Sequence, residues 1–221
     1  MIAALQFGLA CFFAIFPIVN PFSAAALLVA LTPGETPRRR AEQARRAVYF
    51  MTGIMIVSYF AGTYILSFFS IGRPALVLAA GVLVCRSGWR ALTGTERLTA
   101  AQQEEGLAKE DISLTPLGMP MLAGPGTISV VIGLSADAQG VLRHVAAVAA
   151  MLLVAIVSYA VMHAAPAVVR VLGGTGQAAV SKVMGLIILC VGIQFLINGL
   201  AMVAPGAFHP AMQPATAGGA P

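Results

Sequence analysis

Two short stretches carry residue types from which a binding site could be built. In "FPIVNPFSA", Asn20-Pro21 is followed by Phe22, Ser23 and Ala24; in "MPMLAGPGT", Gly124-Pro125 is followed by Gly126 and Thr127. Proline in mid-helix removes a backbone hydrogen bond and clashes with the preceding turn, at a cost of about 3 kcal/mol. Asn and Gly are at home at helix N-caps, and Pro is favoured at the first helical position. Each pair therefore predicts that one half-helix ends and another begins. The amides of Phe22, Ser23 and Ala24, and those of Gly126, Thr127 and Ile128, then have no intrahelical partners. Together with a helix dipole worth about half a positive charge, such amides favour an anion. The hydroxyls of Ser23 and Thr127 stand beside them. The plainer alternative is that each proline merely kinks an apolar helix, which neighbouring helices tolerate. Gln194 and Asn198 are four apart and share one helix face, placed to meet a ligand or to bond another helix.

The surrounding chain says what must hold these residues. Of 221 positions, 59% are hydrophobic and 10% charged, against about 45–50% and about 25% in a soluble domain. That composition defines an all-α integral membrane protein, with the lipid bilayer as its first partner. The net charge of +5 is loop charge, and no basic soluble face exists for nucleic acid. Cys11, Cys85 and Cys190 form no CxxC and are expected to be small buried hydrophobes, not a disulfide or metal framework. The first basic residue is Arg38, so the first apolar stretch lacks the basic flank of a signal peptide and is expected to be a retained span.

A spanning helix needs about 20 apolar residues. Six segments qualify: 8–31, 48–70, 74–93, 115–135, 142–165 and 183–203. They form a transport-sized membrane unit over 1–204, and 205–221, rich in Pro, Gly and Ala, is expected to be a disordered tail. Loops one, three and five with their helix ends hold Arg38, Arg39, Arg40, Arg45, Arg46, Arg86, Arg90, Arg97, Lys109, Arg170 and Lys182; the other side holds Arg73 and Arg143. The positive-inside rule then puts the first loop in the cytoplasm and both termini outside.

The chain also repeats. "IVSY" recurs at 56–59 and 156–159, and at an offset of 104 Asn20-Pro21 matches Gly124-Pro125, Gly81 matches Gly185 and Gly88 matches Gly192. Three spans per half is odd, so the halves run in opposite senses. This is the inverted-repeat plan of many secondary transporters, and it turns the two new helix starts toward one another near the bilayer midplane. The four glycines predict a close approach of the third and sixth helices.

At these residues the sequence resembles the MarC family of inner-membrane proteins, which carry Asn-Pro in the first span and "AGPG" in the fourth. The likeness runs over about 5–203 and includes "KVMGLIILCVGIQFLINGL" at 182–200. It implies six spans in the bacterial inner membrane and kinship with LysE-type exporters of small amino acids, some members handling neutral ones such as alanine. Phe22 and Ser23 stand where small residues are expected, which bears on how large the pocket is.

Other polar residues in the spans have structural readings. Ser58, Tyr59, Ser158 and Tyr159 fit interhelical packing, Arg86, Trp89 and Arg90 fit headgroup anchoring, and His163 fits an interfacial position. No Asp or Glu falls within the six segments, which excludes carboxylate proton relays. The lack of CxxC argues against a thiol-electron carrier, and the lack of GxxxxGK[ST] against ATP hydrolysis. The expectation is a non-enzymatic transporter of a small carboxylate-bearing metabolite, needing no cofactor or metal, with homo-oligomerisation left open. The competing readings are a structural or regulatory membrane protein and a membrane enzyme or redox carrier.

Overall fold

The computed structural model describes residues 2–94 and 111–204. The expected tail, 205–221, lies outside the described residues, as does most of the polar run after the third span. Among the described residues, eight helical elements follow in order: α1 (Ile2–Val19), α2 (Pro21–Leu31), α3 (Pro37–Phe68), α4 (Arg73–Thr93), α5 (Ser113–Leu122), α6 (Pro125–Asp137), α7 (Val141–His163) and α8 (Ala165–Val203). No strand occurs among the described residues. Five stretches of the described residues are long and apolar enough to cross a membrane: Ile2–Leu31, Pro37–Phe68, Arg73–Thr93, Val141–His163 and Ala165–Val203.

The expected span 115–135 is not one helix. α5 is wound wide, with Leu117 N–H donating to Ile112 C=O and Ala123 N–H to Gly118 C=O, five residues back. Thr115 and Met119 interrupt it in extended conformations. α6 has 13 residues, about 20 Å at about 1.5 Å per residue, short of the roughly 30 Å hydrocarbon core. Three prolines, Pro116, Pro120 and Pro125, fall within ten residues of one another in this segment, and each removes a backbone donor that a continuous α-helix would need.

Two stretches expected to be loops are helical. The basic run begins α3 at Pro37, eleven residues before the expected start. Thr36 is its extended N-cap, Oγ1 accepting from the Arg39 amide at 3.3 Å, with Pro37 in the first turn. The short link before it is tied down at both ends. Arg40 donates through Nε to Thr32 Oγ1 and through Nη2 to Thr32 C=O, both at 2.8 Å, so it caps α2. Gln43 Nε2 donates to the Glu35 carboxylate at 3.1 Å. The second stretch, 170–182, belongs to α8, broken at Gly173 (φ 59°, ψ −176°). Only glycine occupies that region comfortably, so α8 is two limbs joined at one residue.

The closest packing joins α4 to α8. A Cβ on Gly88 would lie 2.5 Å from Leu189 N, on Gly192 2.6 Å from Cys85 N, on Gly185 2.8 Å from Leu92 N, and on Gly81 2.9 Å from Leu196 N. As residue numbers rise on α4 they fall on α8, so the helices are antiparallel with their backbones in contact, at the glycines picked out by their spacing. A core of Leu28, Met51, Met55, Tyr59, Leu117, Leu122, Val130, Met151, Val154 and Ile188 fills the interior. Leu9, Phe13, Phe60, Tyr64, Leu153, Ile156 and Ile193 are exposed, an apolar exterior suited to lipid. Cys11 is buried, Cys85 half-buried and Cys190 exposed, so burial does not describe all three cysteines.

Two ion pairs mark the ends of the molecule. Arg73, opening α4, pairs with Asp137, closing α6. Arg46 Nη1 bonds Asp111 Oδ2 at 2.9 Å, joining the first turns of α3 to the approach to α5 at the arginine-rich end.

Candidate functional site

Between α1 and α2 the chain passes through Asn20 in the left-handed conformation (φ 46°, ψ 64°), where Asn is one of the few side-chain-bearing residues tolerated. Asn20 Oδ1 accepts from the Ser23 amide at 3.4 Å, and Asn20 Nδ2 donates to Ser23 Oγ at 2.7 Å. The cap is 2% exposed, and Pro21 and Ala24 are buried with it. A helix therefore starts inside the protein. Phe22 and Ser23 face a cavity of about 480 Å³, whose wall continues along α2 through Ala26, Leu27, Ala30 and Leu31. Ala91 and Gly94 at the end of α4, Met121 of α5, and α8 from Leu172 to Lys182 complete it. Ser181 crosses to α2, its Oγ 3.1 Å from Ser23 Oγ.

Leu31 is the last residue of α2 and Gly94 caps the end of α4, at the end where Arg40 and Arg46 lie. The cavity thus runs from the start of α2 toward the arginine-rich end. Among the described residues, Lys182 is its one charged wall residue and none of those lining it carries a carboxylate.

The second break is built differently. Gly124 is an extended N-cap with no side-chain bond, Pro125 follows, and Thr127 Oγ1 donates back to Leu122 C=O at 3.3 Å. A Cβ on Gly126 would lie 3.5 Å from Val84 Cγ2 and 3.7 Å from Ile18 Cγ2. Gly126 therefore packs between α4 and the last turn of α1, one turn from Asn20, and Thr127 is 2% exposed. None of Gly124, Pro125, Gly126 or Thr127 lines the cavity. Gln194 and Asn198 are exposed on α8, Nε2 of the first donating to Oδ1 of the second at 2.9 Å. They satisfy one another away from the cavity.

Sequence reading passed over Gln177, Ser181 and Lys182 because "GQAAVSK" looks like a linker. The signal was there: Gln177 and Ser181 are four apart, with Gly173 and Gly174 just before them. His163 is exposed with its ring 5.6 Å from that of Tyr159, and Ser158 is fully buried on α7.

Long apolar helices with an apolar exterior, packed round an internal helix start and a cavity, define a multi-pass helical membrane protein. The MarC family model, described as an integral membrane protein, matches residues 5–204. The chain is 32% identical over 201 residues to inner membrane protein MarC of Salmonella paratyphi A, and 31% identical over 198 residues to that of Escherichia coli strain SMS-3-5. It is 30% identical over 197 residues to that of Citrobacter koseri. Each match covers 83% of this chain and 89% of the relative. The chain belongs to the MarC family of integral membrane proteins. No solved structure matches it.

Proposed function

We propose that this protein is a secondary transporter of a small carboxylate-bearing metabolite, in the narrowest form a small neutral amino acid such as alanine. The observation that carries the proposal is the buried start of α2: a capped helix N-terminus whose first turn, Phe22 and Ser23, forms the inner wall of a cavity. The Ser23 and Ala24 amides, expected from the sequence to lack partners, bond Asn20 Oδ1 and Asn20 C=O. It is therefore the helix dipole directed at such a space that favours a carboxylate in low dielectric. Lys182 supplies a full positive charge to the same wall.

The architecture we propose is six crossings in two inverted halves, α5 and α6 together making the fourth, with both termini outside and the cavity open to the cytoplasm. The antiparallel seam of α4 and α8 and the 104-residue offset between Pro37 and Val141, which open α3 and α7, support it. No covalent step, cofactor or metal enters the proposal. Kinship with LysE-type exporters, implied by the resemblance, points the same way.

The test is counterflow of labelled alanine in proteoliposomes, with Pro21→Ala and Pro125→Ala beside wild type. Alanine should be carried, alaninamide should not compete, and Pro21→Ala should abolish transport with folding intact. Equal competition by the acid and its amide would sink the carboxylate reading.

The alternative is a structural or regulatory membrane protein in which the prolines only shape helices. The second break favours it, since Thr127 is spent on Leu122 and Gly126 is packed. Absence of flux for every small carboxylate, in protein that is folded, would leave that reading standing.

A further inference from the structure

Gln194 and Asn198 satisfy one another only in part. The bond between them, Gln194 Nε2 to Asn198 Oδ1 at 2.9 Å, uses one N–H of the first amide and one lone pair of the second. A primary amide carries two N–H groups and an oxygen with two lone pairs, so each residue keeps bonding capacity. Both side chains are exposed, and that capacity is turned out of the protein.

Depth makes this costly. Gln194 is nine residues from the end of α8 at Val203, about 14 Å at about 1.5 Å per residue. That is close to the middle of a hydrocarbon core about 30 Å thick. Asn198 lies one turn nearer the end. No Asp, Glu, Lys or Arg occurs from 183 to 203, so the amides have no charged neighbour along the helix to draw water to that depth. Polar side chains within a membrane ordinarily face the bundle interior, and these two face out of it.

The face they share is continuous. Val183, Ile187, Cys190, Gln194, Ile197 and Asn198 fall on one side of α8, and all six are exposed. The opposite side, with Gly185, Gly192 and Gly199, is closed by α4. An amide is its own complement, donor to acceptor and acceptor to donor, so the same face on a second copy offers what this one needs. Two copies inserted in the same sense are related by a two-fold axis along the membrane normal, and each residue then meets the other copy at its own depth. An uncharged face puts no like charges opposite one another across that axis. Side-chain amides bonding across transmembrane helices hold such pairs together.

We propose that this protein is a homodimer in the membrane, closed by this face of α8 with Gln194 and Asn198 at its centre. The dimer is independent of what the cavity carries: exposed amides at membrane depth are enough to require it.

The experiment uses Cys190, exposed one turn before Gln194 on the same face. Full-length protein in phosphatidylcholine vesicles is oxidised with copper phenanthroline, and disulfide-linked dimer is read on a non-reducing gel. In parallel, two differently tagged forms made in the same cells are solubilised, and capture of one by the other is measured. Wild type should give linked dimer and mutual capture, and Cys190→Ser should lose the link and keep the capture. Gln194→Leu combined with Asn198→Leu should lower both readouts at least tenfold. Its melting temperature should not fall, since the new leucines lie on an exposed apolar face. Gln194→Asn, which keeps an amide, should retain most of the dimer. In the Cys190→Ser background, Ile156→Cys on the exposed face of α7 should not link. Linking there as readily as at Cys190 would overturn the choice of face. Undiminished capture in the folded double-leucine variant would overturn the role of the amides. Wild type that is monomeric by both readouts would overturn the second copy and leave the face to lipid or to a different membrane protein.

Discussion

Tyr59 and His144, 85 residues apart in the chain, are joined by a hydrogen bond of 2.8 Å between Tyr59 Oη and His144 Nδ1. Their rings meet edge to face at 5.8 Å. Tyr59 is 1% exposed, so the bond ties the interior of α3 to the first turn of α7. It crosses between helices that open 104 residues apart, at Pro37 and Val141.

Tyr59→Phe keeps the ring and removes the bond, leaving the histidine nitrogen without its partner. The cost should be about 0.5–1.5 kcal/mol, seen as a melting temperature lowered by a few degrees in detergent. Combining it with His144→Ala should cost less than the two separate changes added together. Strict additivity would show that the two side chains act independently.

The seam of α4 and α8 should tolerate no side chain. Gly88→Ala and Gly192→Ala place a methyl group 2.5 and 2.6 Å from backbone nitrogen, which cannot step aside as a side chain can. Overpacking of this kind costs about 1–3 kcal/mol. Gly53→Ala on α3 meets nothing within 4 Å and should be neutral or stabilising, since Ala favours helix. Equal melting of all three variants would contradict the packing.

Asn20 serves backbone and side chain at once, and two variants separate these. Asn20→Gly keeps the left-handed backbone and removes both bonds to Ser23; Asn20→Ala also puts strain of about 1–2 kcal/mol into the backbone. Stability should fall in the order wild type, Asn20→Gly, Asn20→Ala. The proposed transport should be impaired alike in both variants, because both remove the Asn20 side-chain bonds to Ser23.

Asp111 is held below the usual carboxylate range chiefly by its hydrogen bonds with Ser113, with Arg46 adding to them. A carboxyl whose folded pKa is depressed contributes stability that is complete above its unfolded value, about 3.9, and fades as pH falls through the folded value. Asp111→Asn should therefore melt below wild type at pH 7, and the gap should close in acid below pH about 4. A gap that widens in acid would reverse the sign.

Sidedness is read by cysteine labelling in a background with Cys11, Cys85 and Cys190 replaced. Arg38→Cys, exposed at the start of α3, should be shielded from an impermeant thiol reagent in intact cells. Ile71→Cys, exposed in the turn before α4, should react. The opposite pattern would invert the proposed orientation.

The parts legible in the sequence are those where one residue type has one structural use. Asn20-Pro21 and Gly124-Pro125 mark helix starts because proline cannot continue a helix, and Gly81, Gly88, Gly185 and Gly192 mark close approach because nothing larger fits. Charge misleads at Arg38, Arg39 and Arg40: an arginine run suggests a loop, yet Thr36-Pro37 is a strong helix start and the helix simply extends beyond the apolar zone. Small polar residues misled at 170–182, where alanines support helix and Gly173 confines the break to one residue. The cavity was half legible. Ser23 was found from the proline beside it, whereas Ser181 and Lys182 gain their meaning from tertiary contact with α2. Gln194 and Asn198 share a face as their spacing requires, but spacing does not say which way that face turns.

The glycine seam also decides what kind of movement is open to the molecule. Two helices whose backbones touch cannot slide lengthwise without driving side chains into main chain, and cannot part without losing the close van der Waals packing that holds them together. What remains is rotation. α4 and α8 then act as a fixed shaft, and any widening of the cavity is a turning of the helices packed round it.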